Sequence, residues 1–144
     1  MPGPVTTFDP AKHAFSFLGN TFTAFGKDSF IKASRDEDAF TKEVGTTGEV
    51  VRSKNNNRCG SVEVTVMAHS QDNDILSSLA AADELTGTTV GELTMLELNG
   101  TSRLSASQAW IRKAPDMERA KVAGEVVWIF DCADLEIFHG GLVL

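Results

Sequence analysis

Cysteine is scarce in this chain of 144 residues. Cys59 and Cys132 lie far apart and form no CxxC pair. A disulfide framework is not expected, and reduced thiols are the default reading. Long apolar runs are missing too: none approaches the length that crosses a bilayer. The opening residues, MPGPVTTFDPAKH, lack the basic, apolar and small-residue zones of a secretion signal, so cytoplasmic synthesis is the expectation. Positive charge is also in short supply. Thirteen Lys and Arg stand against twenty Asp and Glu, which gives a net charge of −7 and a pI near 4.9. Anionic membranes and nucleic-acid phosphates repel such a chain. That excludes a conventional DNA reader, but not a surface that lets DNA slide past.

The residues of chemistry are thin as well. His13, His69 and His139 are scattered, with no HExxH or zinc-ribbon spacing, so no metal site is expected. Asp131, Asp134 and Glu136 cluster in FDCADLEIF, where Asp134 and Glu136 share a strand face with Cys132. Paired carboxylates can do acid–base work or bind a divalent cation. With no third liganding group nearby, a solvated strand surface is the plainer reading. Cys59 sits beside Arg58, which favours a thiolate, but no base or oxyanion site accompanies it. GxSxG, GxGxxG and GxxxxGK[ST] are all missing. Trp110 and Trp128 share strand faces with apolar neighbours and read as core or subunit-interface residues. No catalytic residue and no cofactor is implied. The weight falls on a structural or interaction protein.

What is present is β patterning. Apolar content of 42% and charged content of 23% fit one globular domain over 1–144. Residues 1–11 hold three prolines and read as an extended arm. HAFSFL and TFTAF, split by Gly19-Asn20, read as a hairpin, with Phe15 and Phe17 on one face and Phe22 and Ala24 on another. SFIKA adds a short strand after a Gly26-Lys27-Asp28 turn, and AFTKEV starts another. Ser61 to His69 alternates strictly, with Val62, Val64, Val66 and Ala68 inward. A helix over about 72–85 is capped by Ser70 or Asp72 and stopped by Gly87. Its apolar stripe is Ile75, Leu76, Leu79, Ala82 and Leu85. Three further strands follow. GELTMLELNG ends in an Asn-Gly turn. In SRLSASQAWIRKA, Leu104, Ala106, Gln108 and Trp110 share a face. GEVVWIFDCADLEIFHG is apolar on both faces from Val126 to Phe130, as a strand covered on both sides would be. The fold class expected is mainly β, an antiparallel sandwich or barrel with one flanking helix.

One stretch resists that scheme. The polar segment of about 43–60, which includes RSKNNNRCG, reads as a long loop. Compact domains rarely carry one without a function.

Several unusual strings appear in order along the chain: DEDAFTKEVG-x-x-GEV-x-RSK-x-NN, the S-x-x-ND-x-L helix start, A-W-I-x-K-x-P-D and C-A-D-L-E-x-F. With them the sequence resembles, from about Phe8 to Gly141, the tail tube proteins of contractile-tailed bacteriophages. The resemblance implies a tube-type fold shared with Hcp-like type VI secretion tubes and pyocin tubes. It implies six-subunit rings that stack into a hollow tube within a contractile sheath, through which genome DNA passes at infection. The implied partners are the chain itself, the tail sheath protein, baseplate and tail-terminator proteins, and, within the channel, the tape-measure protein and DNA held without sequence-specific binding. The implied location is the virion tail, assembled in the bacterial host cytoplasm, with no membrane role.

Under this resemblance 43–60 becomes an inter-subunit or inter-ring contact. Its candidate residues are Glu43, Glu49, Arg52, Lys54, Asn55, Asn56, Asn57 and Arg58. Mixed charges and amide donors and acceptors suit an interface. The net charge becomes about −42 per six-membered ring, and an acidic channel would pass DNA without trapping it. Candidate channel-facing residues are Glu63, Thr65, Ser105 and Ser107. The acidic side of the helix, with Asp83 and Glu84, is a candidate sheath contact. Two alternatives remain: a related virion ring that does not polymerise, at the tail tip or terminator, and a small β-barrel ligand-binding protein or enzyme.

Overall fold

A computed structural model describes residues 5, 13–22, 31–98, 100–118, 121 and 124–141. The N-terminal arm other than Val5, the Gly26-Lys27-Asp28 turn, Ala24 and Asn99 lie outside them. In chain order the elements are β1 (His13–Phe17), β2 (Asn20–Phe22), β3 (Ile31–Arg35), β4 (Phe40–Val44), β5 (Val50–Lys54), β6 (Gly60–Met67), α1 (Asp72–Thr86), β7 (Gly91–Glu97), β8 (Arg103–Lys113), β9 (Glu125–Cys132) and β10 (Glu136–Phe138). Eight strands form one antiparallel sheet in the order β2-β1-β7-β8-β9-β6-β3, with β10 added on β8. The other two, β4 and β5, pair only with each other.

The sheet curls onto itself. β1 and β9 are three strand steps apart, about 14 Å in a flat sheet. Yet the Phe17 and Phe130 ring centroids are 5.0 Å apart, edge to face, and Phe15 lies 5.9 Å from Phe130. β1 with β7 and β6 with β9 therefore face each other across a core of Phe15, Phe17, Phe22, Leu93, Val62, Val64, Val66, Trp128 and Phe130. The expected mainly β, antiparallel class with one helix is the class found. The alternation of β6 is also as expected, with Val62, Val64 and Val66 buried.

The expected 13–22 hairpin is present, but its turn is Leu18-Gly19 and Asn20 already pairs with Phe17. Leu18 takes φ 51°, and its N–H donates to the Glu92 carbonyl at 3.1 Å.

The helix stops where expected. Gly87 adopts the left-handed conformation, φ 68°, and its N–H donates to the Asp83 carbonyl at 2.7 Å. Ser70 Oγ accepts the Asp72 N–H at 3.1 Å. The buried stripe differs from the expected one. Leu76 and Ala80 enter the core and Leu79 is half-buried, while Ala82 is exposed and Leu85 is 88% exposed. Asn73 explains the rotation. Its Oδ1 accepts the Trp128 indole N–H at 3.0 Å and its Nδ2 donates to the Met67 carbonyl at 2.9 Å. The face carrying 73, 76 and 80 is thereby turned to the sheet.

Three strand expectations need correction. In β8, Leu104 and Ala106 are buried as expected, but then Ala109 and Ile111 replace Gln108 and Trp110. The register slips there: Leu93 pairs with Ala106 and Gly91 with Ala109, so Ser107 and Gln108 together oppose Glu92. This β-bulge exchanges the two faces. In β9 both faces are not covered: Trp128 and Phe130 are buried, but Val127 is 45% exposed. The last run is also not one strand. It breaks after Cys132 so that Leu135 can bury, and β10 then pairs with the first part of β8. Cys132 is buried while Glu136 is exposed, so they do not share a face with Asp134.

Candidate assembly surface

The segment expected as a long loop is an arm with secondary structure. β3 and β6 pair as far as Arg35 opposite Gly60, and the two chains then continue outward together. Asp36 N–H donates to the Cys59 carbonyl at 3.0 Å and Asn55 N–H to the Ala39 carbonyl at 2.8 Å. β4 and β5 follow in register from Phe40–Lys54 to Val44–Val50, closed by a turn in which Gly45 N–H donates to Glu49 O at 2.7 Å. Residues 36–54 are all exposed. A lone two-stranded hairpin is marginal in water, so this one depends on its continuity with the main sheet or on a partner.

The root of the arm explains the asparagines. Between the pairs Asp36–Cys59 and Ala39–Asn55 one chain has an extra residue, and Asn55, Asn56 and Asn57 sit at that irregularity. Asn55 Oδ1 accepts the Asn57 N–H at 2.9 Å, and Asn57 Oδ1 accepts the Cys59 N–H at 3.1 Å. Asn55 Nδ2 donates to Glu37 at 2.7 Å. The amides of Asn55 and then Asn57 hold the Glu37 carboxyl below its usual range. These two asparagines shape the turn itself. Gly60 is required by close approach: a Cβ there would lie 2.6 Å from Leu135 Cδ2 and 2.6 Å from the Ser34 carbonyl oxygen.

The hairpin has two unlike faces, because directly paired residues point the same way. One face carries Phe40 with Lys54, Lys42 with Arg52, and Val44 with Val50. The other carries Thr41 with Ser53 and Glu43 with Val51. Arg52 lies over the Phe40 ring at 4.1 Å. Phe40, Val44, Val50 and Val51 are 45–65% exposed, an apolar content that a free surface arm does not need. Of the candidate contact residues, Glu43, Arg52 and Lys54 lie on the hairpin strands and Glu49 in its turn. Arg58 lies at the root, where it pairs with Glu136 at 3.2 Å.

The candidate channel residues fall in two places. Glu63 and Thr65 stand on β6 opposite Ile129 and Val127 of β9. Ser105 and Ser107 line a hollow with Glu92, Asp134 and Glu136. Ser107 is tied down, since its hydroxyl donates to Asp134. Asp134 also accepts the backbone N–H groups of Ser107 at 3.1 Å and Gln108 at 3.2 Å. This carboxylate satisfies the donors that the β8 bulge leaves out of the ladder, a role that sequence patterning did not reveal. The Ser107 hydroxyl first, then the Gln108 and Ser107 N–H groups, hold it below the usual carboxylate range.

The other carboxylates of FDCADLEIF are likewise engaged. Asp131 accepts from Arg112 at 2.6 and 3.0 Å, and Glu136 accepts from Arg58. Among the described residues no cluster of His, Cys, Asp or Glu could hold a metal ion. Burial, then the nearby Asp131 and Asp134 charges, push the Cys132 thiol up to about 11. Cys59 is half-buried beside the arm root.

Comparisons with known proteins agree with one another. A family model described as "Bacteriophage PhiTE tail tube protein" matches residues 16–140. Structural protein ORF10 of Pseudomonas phage KPP10 is 27% identical over 149 residues, covering 98% of this chain and 86% of that protein. A cryo-EM structure of the anti-feeding prophage cap, a tube-terminating cap, superposes with a TM-score of 0.64 at 9% identity. That match covers 96% of this chain and 95% of the other, and it establishes a shared fold.

Proposed function

This chain belongs to the bacteriophage PhiTE tail tube protein family, a structural and non-enzymatic component of the phage tail, and from that premise we propose that it is the subunit of the inner tail tube of a contractile tail. Six copies form a ring, rings stack, and genome DNA moves through the channel at infection. The observation that carries this reading is the arm of residues 36–59. It leaves the domain fully exposed, with apolar and basic side chains together on one face. On a solitary protein such an arm is a liability; between subunits it becomes buried contact. The sheet supports the same reading, because β2 and β3 are its outer strands and edge pairing around a ring closes them. Sheath, baseplate, terminator and tape-measure proteins are the partners such a tube requires. The acidity of the chain suits a channel that DNA crosses without binding.

A second reading rests on the fold shared with a tube-terminating cap. In that reading the chain makes a single ring that ends a tube. Electron microscopy of the purified protein over a concentration series separates the two. Stacked tubes support the tube subunit, and isolated rings at every concentration support the terminator.

A further inference from the structure

Three guanidinium groups gather in one hollow of a chain that is otherwise acidic. Arg35 at the end of β3, Arg58 at the arm root and Arg103 at the start of β8 wall a concavity of about 230 Å³, together with Ser105, Glu136 and Phe138. Two of the three are held in place. Arg35 donates through Nε to the Leu135 carbonyl at 3.0 Å, which fixes the plane of its guanidinium. Arg103 stacks 5.0 Å from the Phe138 ring centroid. Arg58 shares the only carboxylate of the hollow, Glu136, at 3.2 Å. Among the described residues no carboxylate pairs with Arg35 or Arg103. Three positive side chains against one negative leave the hollow at +2, in a chain whose net charge is −7.

Like charges brought together repel unless an anion lies between them. Guanidinium forks match the oxygens of phosphate and carboxylate, and groups already fixed by a carbonyl and a ring lose little freedom on binding. We propose that this hollow is a binding site for an oxyanion. Two sources present the same chemistry: free phosphate, and a side-chain carboxylate of a second copy docked at the arm root. Site chemistry is independent of how the chain assembles, so it is tested first on the unassembled protein.

The first measurement is isothermal titration of the wild-type chain with inorganic phosphate, against chloride at matched ionic strength. Saturable binding is expected. Arg103→Gln should weaken it about tenfold or more, as loss of a hydrogen bond to a charged group does. Glu136→Gln should tighten it, because the competing carboxylate is gone. Circular dichroism melts keep the two variants comparable with the parent. Heat no different from chloride, or identical binding in all three proteins, overturns the proposal. The same titration on assembled protein then distinguishes the sources. Retained binding identifies free phosphate as the ligand. Lost binding, with Arg103→Gln raising the concentration needed for assembly, identifies the carboxylate of a second copy.

Discussion

Lys42 and Arg52 stand directly opposite each other in the arm hairpin. Like charges at such a position work against a strand pair by a few tenths of a kcal/mol to about 1 kcal/mol. The same face adds Lys54 and the exposed Phe40, Val44 and Val50, and it carries no carboxylate. This face is built for an anionic, partly apolar neighbour, and an acidic second copy is one.

Reversal of both charges, Lys42→Glu with Arg52→Glu, should therefore separate folding from assembly. Both residues are exposed, so stability in a urea melt should change by less than about 0.5 kcal/mol. Sedimentation should show loss of species larger than the monomer. Assembly at the wild-type concentration would remove the arm from the account.

The helix is tied to the sheet through Asn73. Replacement by Ala leaves the buried Trp128 indole N–H without its acceptor and the Met67 carbonyl without a donor. A loss of about 1–3 kcal/mol in chemical denaturation is expected. An unchanged midpoint would show that water replaces the amide.

Asp134 should matter for stability and its pH dependence. Asp134→Ala deprives the bulge of its acceptor at Ser107 and Gln108, for an expected loss of about 1–3 kcal/mol near neutral pH. Hydrogen bonding lowers the folded-state pKa below that of the unfolded chain. Its contribution is thus present above the unfolded value of about 3.9 and is lost as pH falls through the lower folded value. The gap between wild type and Asp134→Asn should narrow in melts taken below about pH 4. A gap that stays constant would contradict the assignment.

The two thiols should react differently. Cys132 is 1% exposed and its pKa is raised to about 11, so it should stay unmodified by a thiol reagent at pH 8 until the protein unfolds. Cys59, half-buried at the arm root, should react in the native state. Rapid modification of both would mean that the β9 end of the core opens readily.

The elements legible in the sequence were those whose apolar residues face this chain's own core. The alternation of Val62, Val64 and Val66 and the left-handed stop at Gly87 are local signals that tertiary structure reinforced. β5 was not legible, because VVRSK is exposed at every position and exists by pairing rather than by burial. The face exchange in β8 was hidden because its cause, Asp134, lies on a different segment. The apolar Val127 pointed to a covered face, and within one chain that face is open. The arm root lay within the segment suspected of contact. Yet the work of Asn55 and Asn57 there is to form turns, which only the paired chain opposite makes visible.

The most direct test of the central claim is negative-stain electron microscopy of the purified protein across a concentration series, beside a variant in which residues 40–54 are replaced by a short turn. The account predicts six-fold rings and hollow stacked tubes for the full chain, and monomers that melt as folded protein for the variant. Tubes of equal length and abundance from both would contradict it.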